Sequence, residues 1–294
     1  MKTYFSGLSE SDILKWYEKQ LKSKIKNSKA FNSTVAGKQS LLNHDFWSVY
    51  AYGDFIRVVY INSAPNTKTR AEAKKTNNTR GAVCGESEKR FSQSMSRTRS
   101  RIFELAMCNE FNFFCTFTQD KTKRDRFNLT EFRKDFAQFV RNENRGRENK
   151  IKYLLIPEQH KKGAWHMHGL LRGLTDKDLR EFSLDENIPQ KIKESIKNGE
   201  KIYNWDRYSR KFGYFTCTPI RDKNACSRYV TKYITKDLKK SALERGDHLY
   251  FASQGLKGRE VILSKCIDKP PFDEWDFENK YVKIKEFTVR NLGQ

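Results

Sequence analysis

The N-terminal third of the chain passes from a helical pattern to a strand pattern and then loses its apolar residues. Apolar residues recur at helical spacing between Ile13 and Leu21, which predicts a helix near the N-terminus. The aromatic and β-branched runs "FWSVYAY" and "FIRVVYI" stand on either side of Gly53 and predict a β-hairpin. Residues 62–86 are polar and basic, which indicates a linker or an exposed loop.

A second series of elements begins near residue 87. A helical pattern runs to Ala106, and "FNFFCTFT" at residues 111–118 has the composition of a strand. Phe132, Phe136 and Phe139 predict the next helix. "KYLLIPE" and "AWHMHGLLRGL" predict two strands that the turn "QHKKG" joins. The strand "GYFTCTPI" and the helix "NACSRYVTKYITKDLKK" follow a polar stretch.

This order of elements predicts an α+β fold, with a central antiparallel β-sheet flanked by α-helices. In the last fifty residues, "EVILSK" and "EFTVRNL" are short runs typical of strands. We therefore expect an accessory region over residues 1–86, with a helix, a hairpin and a basic linker. A central domain would span residues 87–265, and a C-terminal extension residues 266–294.

The charge of the chain points to a polyanionic partner. Lys and Arg total 58 and Asp and Glu total 36, so the formal net charge is +22. Nucleic acid is the commonest partner of so basic a protein.

The lack of a long apolar segment and the spacing of the cysteines both indicate a protein of a reducing compartment. No stretch is apolar for long enough to span a bilayer, and the N-terminus lacks the apolar core of a signal peptide. The six cysteines form no CxxC pair, which argues against a zinc cluster and favours free thiols. We expect a cytoplasmic protein.

Three residues of the predicted hairpin around "QHKKG" are candidate metal ligands. Alternate side chains of a strand share a face, so His166 and His168 are neighbours that could chelate one divalent ion. Glu158 pairs with Trp165 or His166 if the turn centres on the two lysines, and its carboxylate could complete the set. His160 is a rival third ligand. On spacing alone, ordinary hydrogen-bonded histidines explain the pair about as well.

A helix with two tyrosines carries the second candidate chemistry. Tyr229 and Tyr233 are four residues apart and share a helical face, beside Lys232 and Lys236. A phenol is a workable nucleophile when it loses its proton or when cations stabilise the phenolate. Attack on a DNA phosphodiester would give a phosphotyrosine link and a free 3′ hydroxyl. Taken alone, a pair of tyrosines at this spacing is more often amphipathic packing.

In their order and spacing, these motifs resemble the HUH endonucleases, specifically the rolling-circle replication initiators of small phages and plasmids. "FFCTFT" resembles the first motif of the family, and "HMH" is its histidine–hydrophobe–histidine motif. Glu158 stands where related initiators carry an acidic ligand. "YVTKYITK" resembles the nucleophile helix of the two-tyrosine initiators of microviruses and filamentous phages. The resemblance spans about residues 90–260 and includes "LYFASQGLKGREV".

The resemblance implies a central antiparallel sheet with the two histidines on a middle strand. It also implies nicking of single-stranded origin DNA with Mg²⁺ or Mn²⁺, with Glu158, His166 and His168 as the ligands. Tyr229 would be the primary nucleophile, and Tyr233 would attack in the second cleavage. Some members use one tyrosine; by that pattern Tyr233 would be a packing residue, while Lys232 or Lys236 holds phosphate.

The partners that the resemblance implies belong to a bacterial host. The chain contains no Walker A pattern, so unwinding of the origin would need a host helicase, and synthesis would need a host polymerase. Two other hypotheses stay open: a non-catalytic DNA-binding protein such as a repressor, and an HUH transposase or relaxase.

Overall fold

The computed structural model describes residues 46–53, 55–61, 84–236, 249–266, 274–279 and 282–288. Their side chains are described except at residues 46–47, 84–92, 232–236, 263–266 and 287. The helix predicted near Ile13 and nearly all of the predicted linker at 62–86 lie outside the described residues.

The described residues form five helices and twelve strands. The helices are α1 (Cys84–Met107), α2 (Leu129–Glu143), α3 (Gln190–Lys197), α4 (Asp206–Lys211) and α5 (Lys223–Lys236). The strands are β1 (Phe46–Tyr52), β2 (Phe55–Ile61), β3 (Phe113–Gln119), β4 (Lys152–Gln159), β5 (Trp165–Arg172), β6 (Arg180–Glu181), β7 (Tyr203–Asn204), β8 (Gly213–Pro219), β9 (Phe251–Ala252), β10 (Glu260–Cys266), β11 (Phe277–Glu278) and β12 (Val282–Thr288).

The chain divides into two compact units. The central unit comprises residues 83–258, and the terminal unit comprises residues 1–82 and 259–294. These boundaries differ from the ones predicted after residues 86 and 265. The reason is long-range pairing: β10 pairs with β1 along its length and so joins the terminal unit.

The central unit is built on a seven-stranded antiparallel sheet, here called the histidine sheet. Its strand order is β6-β7-β8-β3-β5-β4-β9. The strand β5 lies between β3 and β4 and is paired along both edges. The predicted α+β class and the predicted central antiparallel sheet are confirmed.

Each face of the histidine sheet has its own hydrophobic core. On one face, Phe117 and Met167 pack with the phenylalanines of α2 and with Tyr208 of α4. On the opposite face, Leu170 packs with residues of α1 and with Val230 of α5. Because side chains alternate along a strand, the two cores fix which face every other residue occupies.

The spacing of apolar residues and an N-terminal cap explain why residues 129–143 form the helix α2. Phe132, Phe136, Phe139 and Val140 recur at the predicted spacing, and all four are buried. The side chain of Asn128 accepts a hydrogen bond from the backbone N–H of Glu131 and caps the first turn.

The terminal unit contains a five-stranded antiparallel sheet with the order β10-β1-β2-β12-β11. The predicted hairpin is confirmed, because β1 and β2 pair from Phe46 opposite Ile61 to Tyr52 opposite Phe55. The predicted strands "EVILSK" and "EFTVRNL" correspond to β10 and, in part, to β12. Sequence patterns did not predict that these four strands share one sheet.

The described residues contain free cysteines and no helix that could span a membrane. Cys108, Cys115, Cys217 and Cys226, the four cysteines with described side chains, are free thiols, as predicted. Within the described part of the chain, no helix combines the length and the hydropathy of a membrane span.

Candidate active site on the histidine sheet

The two histidines of "WHMHGLL" occupy one face of β5. Trp165 and Met167 point into the core that contains α2, whereas His166 and His168 lie half-buried on the opposite face. The strand is held along both edges, so the two imidazoles stand at fixed positions on a rigid element. The prediction that they share a face is confirmed.

A threonine on β3 holds each histidine. Thr118 lies opposite His166, and its hydroxyl is 2.8 Å from Nδ1 of that imidazole. Thr116 lies opposite His168, and the corresponding distance is 3.0 Å. When Nδ1–H donates to the hydroxyl, Nε2 keeps its lone pair for another ligand. The "TFT" of β3 therefore orients both rings.

Sequence reasoning noted this threonine-rich strand as a motif but gave its residues no role. A usable signal was present: Thr116 and Thr118 alternate in step with His168 and His166. The register that brings the two pairs together depends on how β3 and β5 pair across almost fifty residues of chain.

Glu158 on β4 completes the group. It lies directly opposite His166, within the predicted alternatives of Trp165 and His166. Its Oε2 atom is 2.6 Å from Nε2 of His168. A proton lies between these two atoms, because an imidazole lone pair and a carboxylate oxygen are both acceptors, so Glu158 occupies Nε2 of His168.

The surroundings of His166 favour the neutral form of its imidazole ring. Burial lowers the pKa of this imidazole below its ordinary value of 6.5, and positive charge on His168 or His160 lowers the pKa further. The exposed His160 has its ring centroid 5.7 Å from that of His166. At neutral pH, His166 therefore presents a nitrogen lone pair.

The donor atoms are suited to a divalent cation, although they do not form a closed cage. Two imidazole nitrogens and one carboxylate oxygen are ligands that manganese-type ions accept. Over the ranges that the structure describes, no group of three or more His, Cys, Asp or Glu residues is arranged as a metal-holding cluster. Instead, the side chains of Glu158 and His168 are hydrogen-bonded to each other.

The helix α5 brings Tyr229 to the same face of the sheet. The ring of Tyr229 meets Phe114 edge-on, with 5.5 Å between centroids, and the tyrosine side chain is 48% exposed. Phe114 lies two residues before Thr116 on β3, so both side chains share the face of the histidines. Val230 is buried against that face and anchors the helix.

The structure therefore brings Glu158, His166, His168 and Tyr229 to one face of one sheet. The backbones of Lys232, Tyr233 and Lys236 lie in α5, within its predicted helix. Their side chains lie outside those described, so their roles stay predictions.

An antiparallel sheet with paired histidines on an inner strand is the arrangement that the resemblance to replication initiators implies. Residues 112–238 match a family model whose description is replication-associated protein ORF2. This match is consistent with a rolling-circle replication initiator of small phages or plasmids, and the predicted resemblance is confirmed. The matched segment contains every candidate site residue. No curated protein and no solved structure gives a match.

Proposed function

We propose that this replication-associated protein nicks and rejoins single-stranded origin DNA by tyrosine attack on a phosphodiester. The observation that carries the proposal is the pair of threonine–histidine contacts beside Glu158, on the face over which α5 holds Tyr229. The net charge of +22 supports a nucleic-acid substrate.

Glu158, His166 and His168 would together hold Mg²⁺ or Mn²⁺. Such a cation would polarise a non-bridging oxygen of the scissile phosphate. The short contact between Glu158 and His168 is compatible with this role, because the two metal-ligating atoms already face each other and a bound cation would displace the proton between them. His160 remains the rival to Glu158 as third ligand.

The reaction exchanges one phosphate ester for another. The phenol oxygen of Tyr229 loses its proton and forms a bond to phosphorus, while the bond from phosphorus to the 3′ oxygen breaks. The 3′ oxygen takes a proton and leaves as a hydroxyl, and the 5′ phosphate stays on the tyrosine. Because one ester replaces another, the strand can later be rejoined without an energy source.

Three further residues of α5 would take part in the second cleavage and in stabilising the charge of the phosphate. Tyr233 would attack a second origin phosphodiester in the strand-closing cleavage and take its 5′ phosphate. The 3′ hydroxyl freed there would attack the phosphotyrosine of Tyr229, which joins the strand and restores the Tyr229 phenol. Lys232 and Lys236 would stabilise the negative charge that develops on the phosphate. A host helicase would unwind the duplex, and a host polymerase would extend the freed 3′ end in the bacterial cytoplasm.

The test is a cleavage assay with a labelled single-stranded origin oligonucleotide in Mn²⁺. The wild type should give a nicked product and a covalent protein–DNA adduct, and both should be absent with EDTA. Tyr229→Phe should lose the first adduct, and the double variant Tyr229→Phe/Tyr233→Phe should give none. Tyr203→Phe is a matched control, since its ring packs on Phe113 at 6.4 Å on the other face.

The outcome also separates the other hypotheses. A repressor would bind DNA without cleavage, and His166→Ala or His168→Ala would leave its binding unchanged. A transposase or relaxase would give the adduct but would act on other DNA ends. Persistence of the adduct in the double tyrosine variant would contradict the assignment of α5 as the nucleophile helix.

A further inference from the structure

Tyr214 stands in the same row of paired residues as the candidate site. Across four neighbouring strands, Tyr214 on β8 pairs with Thr118, Thr118 pairs with His166, and His166 pairs with Glu158. Residues that pair directly across an antiparallel sheet share a face. Tyr214 therefore lies on the histidine face, two strand spacings or roughly 10 Å from His166.

This tyrosine is exposed between two buried neighbours. Gly213 is buried and Phe215 is buried in the core of the opposite face, whereas Tyr214 exposes 67% of its surface. Of the exposed large hydrophobic residues among the described side chains, it is the most exposed. High β-propensity accounts for a tyrosine in a strand. It does not account for an open ring beside a candidate phosphate site.

The surroundings of Tyr214 are basic. The strands β3 and β4 end, and β5 and β8 begin, at the same end of the sheet. The segments that meet at this end are 120–128, 160–164 and 206–212, here called the basic rim. They contain nine lysines and arginines against three aspartates, although Arg124, Arg207 and Lys211 contact residues of the core that contains α2, on the other face. Lys121, Lys161, Lys162 and Arg210 are exposed.

We infer that Tyr214 is a stacking platform for a base of single-stranded DNA, next to the phosphate that the histidine site receives. An aromatic ring inside a positively charged path is the usual recognition device for single strands, because every base offers a π-face. The distance to His166 places the stacked base within one or two nucleotides of the scissile bond. The inference rests on the proposed function for its ligand.

Single-stranded DNA fits the site better than a duplex. The faces of the bases are accessible only where they are unstacked, and an exposed ring of this kind contacts a face rather than an edge. Duplex DNA would use the phosphate contacts of the basic rim and would gain nothing from the ring.

Binding in EDTA tests the inference without any cleavage. The probe is a fluorescein-labelled oligothymidylate of about fifteen nucleotides, a length that covers one such site. By fluorescence anisotropy, Tyr214→Ala should raise the Kd about ten-fold, the usual effect of removing one base–aromatic stack, while Tyr214→Phe should keep it within about two-fold. A duplex of the same length should bind Tyr214→Ala and the wild type alike.

The matched control is Phe277→Ala, which removes another exposed aromatic ring, in the terminal unit. Its Kd should equal that of the wild type. Equal affinity of Tyr214→Ala and the wild type would overturn the inference, as would an equal loss of affinity in Phe277→Ala. A loss in Tyr214→Phe as large as in Tyr214→Ala would also overturn it, because the phenol group rather than the ring would then bind the DNA.

A crosslinking experiment gives a second readout. Irradiation of the protein with an oligonucleotide that carries 5-iododeoxyuridine should attach the base to the peptide that contains Tyr214. Because Tyr214 is exposed, its variants should melt at the wild-type temperature. The two proposals are tested independently. If Tyr214 does not stack on a base, the protein can still form the Tyr229 adduct. If the protein does not nick DNA, the differences in Kd measured in EDTA are unaffected.

Discussion

At the scale of single residues, the threonines of β3 distinguish a built site from a chance pair of histidines. Each hydroxyl lies within 3.0 Å of an Nδ1 atom, so each ring has a fixed rotation about its χ2 bond. Ring orientation of this kind is the usual task of the groups behind a metal-binding histidine.

Thr118→Val keeps the shape of the side chain but removes the hydroxyl that contacts His166. We expect Mn²⁺ affinity, measured by titration calorimetry, to fall by roughly ten-fold or more, the range found when such groups are removed. Thr118→Ser keeps the hydroxyl and should keep most of the affinity. Thr218→Val, on the same face of β8 but paired with Phe114, is the control and should bind as the wild type.

Asp178 makes the stability of the fold depend on pH. Burial raises the pKa of this carboxyl, but hydrogen bonds from Arg147 and Thr175 outweigh burial and lower the pKa from 3.8 to about 2. The group thus stabilises the fold above about pH 4, and this contribution is lost as the pH falls through about 2.

The measurement is the urea midpoint of unfolding between pH 7 and pH 2. Asp178→Asn should unfold at lower urea than the wild type at pH 7, and the difference should shrink as the pH approaches 2. A constant difference across this range would show that the charge of Asp178 is not the cause. Asp176→Asn, an exposed neighbour, is the control.

At the scale of elements, the glycine of "WHMHGLL" lets β4 lie against β5. A Cβ added at Gly169 would clash with the carbonyl oxygen of Leu154 and would lie 2.9 Å from the Cα of Leu155. Both neighbours are backbone, which cannot move aside as a side chain can. The glycine therefore fixes the strand pair that sets Glu158 beside the histidines.

Gly169→Ala should lower the free energy of unfolding by about 1–3 kcal/mol, the range for overpacking a buried position. Chemical denaturation measures it. Gly146→Asn is the comparison, since no atom lies within 4 Å of a Cβ there and asparagine tolerates its φ of +71°. Similar losses of stability in both variants would contradict the role of crowding at Gly169.

How far the sequence predicts an element depends on where its partners lie. The hairpin β4–β5 and its register follow from local spacing, and so does α2 with its row of phenylalanines. The helices α3 and α4 lie in a stretch where the sequence shows only polar character. The short α3 buries no residue, and α4 spans six residues and is anchored by Tyr208, so neither leaves a long periodic pattern.

At the scale of the whole molecule, composition predicted the nucleic-acid partner but not the two units. The terminal sheet joins β1 and β2 to β10 and β12 across about two hundred residues, and no local pattern encodes such pairing. The candidate residues could be chosen from motifs, whereas the threonine contacts and the row that contains Tyr214 depend on pairing between β3, β5 and β8.

The charge of the molecule predicts strong dependence of DNA binding on salt. Lys161→Glu/Lys162→Glu reverses two exposed charges of the basic rim. We expect weaker binding and a smaller slope of log Kd against log salt, by about 0.7 for each phosphate that the rim no longer neutralises. Lys191→Glu/Lys193→Glu on α3 makes the same change in net charge away from the rim. An equal effect of both variants would mean that only net charge matters.

The central claim is that Tyr229 attacks the phosphate that the histidine site receives. Its most direct test is to trap the adduct on a single-stranded origin oligonucleotide in Mn²⁺, digest the protein and sequence the nucleotide-bearing peptide by mass spectrometry. We predict a nucleotide on Tyr229 in the first cleavage. A nucleotide on another residue, the exposed Tyr214 included, or nicking without any adduct, would contradict the claim.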